Sequence, residues 1–295
     1  MRIGVTVPLA YGELAEGRVP TFAETLAYAQ AAERVELDSI WVHDHLVYSP
    51  VAREGGLHEA WTTLTGLAAL VPRVELGSLV MSTSFRNAGL LAKMAATLDD
   101  LSGGRLILGL GCGWHEPEYL AFGYPFDHLV GRFEEDLEVI HRLLRGETVD
   151  FDGRWSRYAG AKLVPPPRRV PPILVASEGP RMLGLTARWA DAWNAAWFGR
   201  VDDSLRQLTS DFDAACDAAG RDRTSIRRTI AFRLHQPGLG RDDPNSTDAD
   251  AAGLADLFDE FEALGYSDAM IWSLPKTPAA LDRIAEARRN HLARH

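Results

Sequence analysis

A (β/α)8, or TIM, barrel is the architecture that three features of this sequence predict. Short apolar runs of strand length alternate with amphipathic helical stretches eight times along the 295 residues, with one interruption after the fourth unit. The fourth apolar run, RLILGLG, is continuous and bounded by glycines, as a strand covered on both faces requires. No composition break divides the chain, and the turn after the first strand, PLAYGELAEG, lacks the glycine spacing of an open dinucleotide-binding sheet. One closed domain spanning 1–295 is expected.

The elements follow in order. Ile3–Val7 reads as the first strand. A helix follows in TFAETLAYAQAAERV, where Thr21 and Glu24 stand at capping-box spacing and Phe22, Leu26 and Ala29 share a face. Ser39–Val42 is the second strand, and the helix in EAWTTLTGLAALV stops at Pro72. Val74–Met81 is the third strand, its helix running through AGLLAKMAATLDDL to Gly103-Gly104. RLILGLG is the fourth, followed by a short helix near Trp114–Phe122 and a longer one over His128–Leu144. At about 147–171 the rhythm breaks: an Asp152-Gly153 turn between alternating runs predicts an inserted β-hairpin and a proline-stiffened return. The alternation then resumes with ILVAS, a helix from Pro180, DAWNAAW, a helix over 202–219 and RTIAFRLH. A polar loop at 236–250, a helix over 251–264, the strand DAMIWS and a last helix from Thr277 complete it.

Composition narrows the function. A net charge of −10 disfavours nucleic acid and anionic membranes as partners. Cys112 and Cys216 make neither a disulfide framework nor a metal-ligand spacing. The N-terminal stretch is interrupted at Pro8 too soon for a signal peptide, and no apolar run reaches membrane-spanning length, so a cytoplasmic protein is expected. Lysine is confined to Lys93, Lys162 and Lys276, which leaves arginine to carry most of the positive charge.

In barrels of this kind chemistry sits where strands end, so the stretches after each strand are the candidate site. After the second strand, His43 and His45 bracket Asp44 and point the same way from an extended chain. Three readings compete: a metal pair, with His235 as its third ligand; a proton-handling set; and a polar rim on a pocket. The later strands end in VAS and NAAW, without imidazole, which weighs against metal. In GCGWHEPEY the glycines, Gly113 among them, let a flat ligand approach the backbone and Trp114 walls a pocket on the substrate side, while His115 fits a solvated helix start as well as that pocket. Cys112 has no assigned base and reads as a small residue near a ligand. In VASEGPR the small residues Ala176, Ser177 and Gly179 follow a strand and Pro180 stands where a helix begins, a stretch that reads equally as free helix-start amides seating a phosphate or as an ordinary βα turn. Arg181 adds charge there and Glu178 removes some.

SIWVHDHL, RNAGLLAKMAATLDDLSGGRLILGLGCGWHEPEYLAFGYPF and PPPRRVPPILVASEGPRMLGLTARWADAWN, in that order, resemble the bacterial luciferase-like superfamily, and within it the oxidoreductases that use the deazaflavin coenzyme F420. The resemblance spans nearly the whole chain. It implies a ring held at the barrel mouth, with His45 near its reactive carbon and Asp44 tuning or orienting His45. It also implies a non-prolyl cis peptide at Leu79–Val80 behind the ring, Ser82 at the ring's polar edge, and the phosphate turn at Ala176–Pro180. The sugar-phosphate dehydrogenases of the family carry a glutamate where this chain has Trp114, and lysines after the sixth strand that this chain lacks. Oxidation of sugar phosphates is therefore not expected.

Together these readings predict hydride transfer between coenzyme F420 and a small molecule, reducing a C=C or C=N bond. An FMN-dependent monooxygenase using reduced flavin and oxygen is the alternative, and a metal-dependent hydrolase the distant one. A homodimer served by a separate reductase is expected. Arg86 and Arg181 are the arginines placed to meet a polyglutamate tail, and the 236–250 loop to close over the ring.

Overall fold

The computed structural model describes residues 1–48, 56–236 and 243–295. The first half runs β1 (Arg2–Thr6), α1 (Phe22–Arg34), β2 (Ser39–Val42), α2 (Ala60–Leu70), β3 (Glu75–Ser78), β4 (Met81–Ser82), α3 (Ala88–Ser102) and β5 (Leu106–Gly111). Helices α4 (Glu116–Phe122) and α5 (Leu129–Leu144) precede β6 (Val149–Asp152) and β7 (Arg157–Ala161). The second half holds β8 (Ile173–Ala176), α6 (Pro180–Trp189), β9 (Ala192–Ala196), α7 (Asp203–Ala218) and β10 (Arg227–His235). It ends with β11 (Ser246–Thr247), α8 (Ala251–Ala263), β12 (Asp268–Leu274) and α9 (Pro278–Leu292).

Among the described residues, β1, β2, β3, β5, β8, β9, β10 and β12 pair in parallel around a ring, which the pairing of β12 with β1 closes. The chain is a (β/α)8 barrel. Its helix starts follow the local chemistry expected of them. Thr21 and Glu24 form the capping box of α1, Asn87 accepts the Leu90 amide at α3, and Gly103 ends α3 in the left-handed region. Strands β6 and β7 pair antiparallel as a hairpin against α5, where Glu135 accepts the amides of Arg154, Trp155 and Ser156 at 2.6–3.0 Å.

One expectation changes. The third strand is not a single run over Val74–Met81: β3 ends at Ser78 and β4 begins at Met81, with a cis peptide at Leu79–Val80 between them. Strand β3 pairs with β2 and β5, whereas β4 pairs with the end of β5. The run is divided where the chain leaves one ladder position for another, which a uniform apolar pattern does not reveal. The loop at 236–250 also holds order: β11 lies parallel to the end of β10, while 237–242 fall outside the described residues.

The barrel interior is filled rather than hollow. Trp41 is buried inside the ring among Leu79, Ile107, Leu174 and Met270. Gly77 makes room for it, since a Cβ there would lie 2.1 Å from the indole. Arg2 and Arg227, with Glu75 and Asp268, form ion pairs at the strand N-termini. With that end closed by charge and the middle by tryptophan, open space remains at the carboxyl ends of the strands.

Candidate active site

A cavity of about 510 Å³ opens at that end, within the range of volumes that hold cofactors and drug-sized ligands. Its two sides differ in chemistry. One is built from Leu79, Val80, Gly111, Gly113 and Ala176, at the ends of β3, β5 and β8. The other carries His43, Trp197, Arg233 and Trp272, from the ends of β2, β9, β10 and β12. The small side needs its glycines: at Gly113, with φ +82°, a Cβ would lie 1.6 Å from the Tyr119 hydroxyl.

Of the aspartate and two histidines after β2, each has a separate environment. Asp44 is buried under Arg86, whose guanidinium donates to both carboxylate oxygens at 2.6 and 3.0 Å, and the Ser82 amide donates at 3.0 Å. Burial raises the Asp44 pKa from its ordinary value, against the pull of Arg86. Arg86 also pairs with Glu59, the N-cap residue of α2. Asp44 therefore ties β2 to β4 and α2. It is not the residue that orients His45, which corrects the role expected for it. Arg86, neutralised by two carboxylates, is likewise corrected as a free seat for an anionic tail.

His45 is oriented by Glu118, from α4. Its Nδ1 lies 2.9 Å from one carboxylate oxygen, and the Leu46 amide donates to the other at 2.8 Å. Burial opposes ionisation of Glu118, but the His45 contact and the Leu46 and Val47 amides together hold its pKa below the usual value. An ionised Glu118 accepts only, so Nδ1 carries the proton and Nε2 is the nitrogen left to exchange one. Tyr48 stacks on the His45 ring at 4.4 Å, and Trp114 meets it edge-on at 5.6 Å.

His43 lies 3% exposed, its ring stacked on Trp272 at 4.9 Å. Burial pushes its pKa down to about 4, against the raising influence of Glu13, so the ring is neutral. Below it, Glu13 and Lys276 form an ion pair at 2.5 Å with both side chains fully buried.

The remaining expected residues divide between cavity and rim. Leu79, Val80, Ser82, Cys112, Gly113, Trp114 and Ala176 line the cavity, and the peptide joining Leu79 to Val80 is cis, as the resemblance implied. The Ser82 hydroxyl shares a hydrogen bond with Tyr119 at 2.9 Å. Burial pushes the Cys112 thiol up, away from thiolate character. His115 sits one step off the cavity as the residue before α4. Ser177 faces inward, its hydroxyl 2.8 Å from that of Thr186 and its amide donating to the Asn194 carbonyl. Glu178, Gly179, Pro180 and Arg181 are exposed at the start of α6, and Arg181 pairs with Glu134 at 2.5 Å. Glu118, Tyr48, Arg233 and Trp272 escaped the sequence reading. The only linear sign of Glu118 is its place in HEPEY, at a helix start.

These residues suit a flat ring on the small side: the wall is nearly free of side chains beyond Cβ at the glycines and Ala176, and His45 stands beside it. A family model described as luciferase-like monooxygenase matches residues 1–237. The phthiodiolone/phenolphthiodiolone dimycocerosates ketoreductase of Mycobacterium bovis is 36% identical over 251 residues, covering 78% of this chain and 65% of that one. An F420-dependent glucose-6-phosphate dehydrogenase of Amycolatopsis mediterranei is 30% identical over 217 residues, covering 72% and 64%. The chain thus spans about 65% of the length of the curated relative first matched. Among solved structures, an EDTA monooxygenase from a Chelativorans species superposes with a TM-score of 0.82 at 16% identity, covering 100% of this chain and 94% of that one.

Proposed function

The chain belongs to the luciferase-like monooxygenase family, and on that premise we propose that it is an oxidoreductase that exchanges a hydride between coenzyme F420 and a small organic molecule. A reducible C=C or C=N bond is the acceptor expected alongside the family resemblance, and the ketoreductase among the relatives adds C=O. The observation that carries the reading is the two-sided cavity, with a glycine-lined wall facing an aromatic one and the His45–Glu118 pair beside both. Bound there, the deazaflavin supplies the hydride. Leu79, Val80, Gly111, Gly113 and Ala176 would hold its ring, and the exposed amides at the start of α6 its phosphate. His45, directed by Glu118, moves a proton at Nε2, and Trp114 with Tyr48 limits the access of water to it.

The family description favours a second reading: oxygen chemistry with reduced FMN delivered by a reductase. Titration with oxidised F420 and, separately, with FMN, followed by fluorescence quenching, decides between them. Tight F420 and weak FMN binding are expected. The reverse preference would transfer the protein to the monooxygenase reading, and binding of neither would displace the ring from this cavity. A homodimer belongs to the same proposal, supported by the exposed apolar side chains of Trp114, Leu120 and Phe122 around α4. Light scattering that returned only the mass of one chain at micromolar concentration would remove it. Among the described residues no helix is long and apolar enough to cross a membrane.

A further inference from the structure

Among the described residues, two polar side chains on the aromatic side of the cavity have no hydrogen-bond partner. Both ring nitrogens of His43 and the indole nitrogen of Trp272 are buried without a hydrogen bond. Both residues line the cavity, and both are more than nine-tenths buried, His43 at 3% and Trp272 at 5% exposure. A buried polar group left without a partner is destabilising unless a ligand satisfies it. The rings are held in place: they stack on each other, and the Lys276 ammonium sits 5.0 Å from the centre of the indole. That ammonium is itself fixed by Glu13, fully buried.

The chemistry of the two groups defines what they would recognise. An indole N–H donates only, so its partner must bring a lone pair. A neutral imidazole offers one donor beside one acceptor. One donor from each of two stacked rings suits an oxygen that accepts twice, as a carbonyl does. In ring order β12 stands opposite β5, so Trp272 lies across the barrel mouth from Gly111 and Gly113. An oxygen seated on the His43–Trp272 side therefore belongs to the molecule facing the ring rather than to the ring. We propose that His43 and Trp272 are the specificity-determining contacts for a carbonyl oxygen of the acceptor substrate, which makes carbonyl compounds the substrate class. The assignment to the substrate, as against the cofactor, rests on the placement of the ring argued above.

The test compares cyclohexanone with methylenecyclohexane, which has the same shape but carries =CH2 in place of the oxygen. Binding of each is measured by NMR titration of protein loaded with oxidised F420, for the wild type, His43→Phe and Trp272→Phe. The phenylalanine variants keep the stacked rings and remove the donors. The wild type is expected to prefer cyclohexanone about tenfold, corresponding to roughly 1.4 kcal/mol. Each variant should lose that preference while its affinity for methylenecyclohexane and its F420 quenching stay unchanged, and His43→Gln, which keeps a donor, should retain part of it. The infrared carbonyl stretch of bound cyclohexanone should move to lower frequency in the wild type and less so in the variants. An unshifted stretch, no preference in the wild type, or a preference that survives both variants overturns the proposal. If the variants instead lose F420 binding that the wild type has, the oxygen received is the ring's own and the substrate assignment fails. If the wild type binds no F420, the ring placement fails, while the carbonyl preference is still read on the unloaded protein.

Discussion

Glu118 makes His45 a directed group. An imidazole at a pocket rim can present either nitrogen. With a buried carboxylate 2.9 Å from Nδ1, it presents Nε2. His45→Ala is expected to lower turnover by about 10²–10⁴-fold, the usual size of a positioned acid or base, with F420 affinity held. Glu118→Gln should lower kcat by a smaller factor and leave KM nearly unchanged, because the amide oxygen still accepts from Nδ1 but without charge. Steady-state kinetics of the two variants check this, and wild-type kcat in Glu118→Gln would remove Glu118 from the proton path. At this scale the sequence was only partly legible. The spacing of His43 and His45 marks a site, but the partners that separate their roles are remote in the chain: Glu118 lies 73 residues from His45. Asp44 is the orienting residue that the resemblance implied, whereas its oxygens face Arg86.

Elements were more legible, since helix starts and hairpin turns obey rules that act over a few residues. Thr21, Pro180 and Thr277 each mark a helix start by local chemistry, and the Asp152-Gly153 turn marks the hairpin. The division between β3 and β4 was not legible, because Ser78 to Met81 is as apolar as the strand around it. The hairpin has a further effect on α5. Trp155, Ser156 and Tyr158 line an open hollow of about 270 Å³ together with Asp136 of α5. Burial, reinforced by the charge of Glu135, pushes the Asp136 pKa up to about 7. A carboxyl with a raised folded-state pKa contributes fully below its unfolded value near 4, and that contribution is lost as pH rises toward 7. Asp136→Asn should therefore stabilise the fold at pH 8 by on the order of 2 kcal/mol, with about half the shift discounted for solvent access, and change it little at pH 4. Urea unfolding at the two pH values measures the difference, and a larger gain at pH 4 than at pH 8 would refute the sign.

For the whole molecule, the pairing of β12 with β1 brings the two ends of the chain together, and the Glu13–Lys276 pair locks their loops under the cavity. The Lys276 amide also donates to the Glu13 carbonyl at 2.8 Å. Burial opposes ionisation of Glu13, but Lys276, with smaller contributions from His43 and the Ala10 amide, holds its pKa below the usual value. Removing one partner leaves an uncompensated buried charge, so Lys276→Met should cost about 3–5 kcal/mol. The double variant Glu13→Leu with Lys276→Met should recover much of that loss. Urea midpoints at constant slope measure both, and additive losses in the double variant would show that the two charges do not compensate each other.

By itself, the sequence determined the alternation of strands and helices, their stops, the inserted hairpin, the closed barrel and the strand ends where a site must lie. Each of these follows from periodicity and from turn chemistry acting over a few neighbouring residues. Only the tertiary structure decided that Asp44 meets Arg86, that His45 meets Glu118, and that His43 stacks on Trp272. Burial is written along a chain with the period of its elements. Partnership between side chains is set by how strands at different places in the sequence stagger around the ring, and no local pattern carries that register.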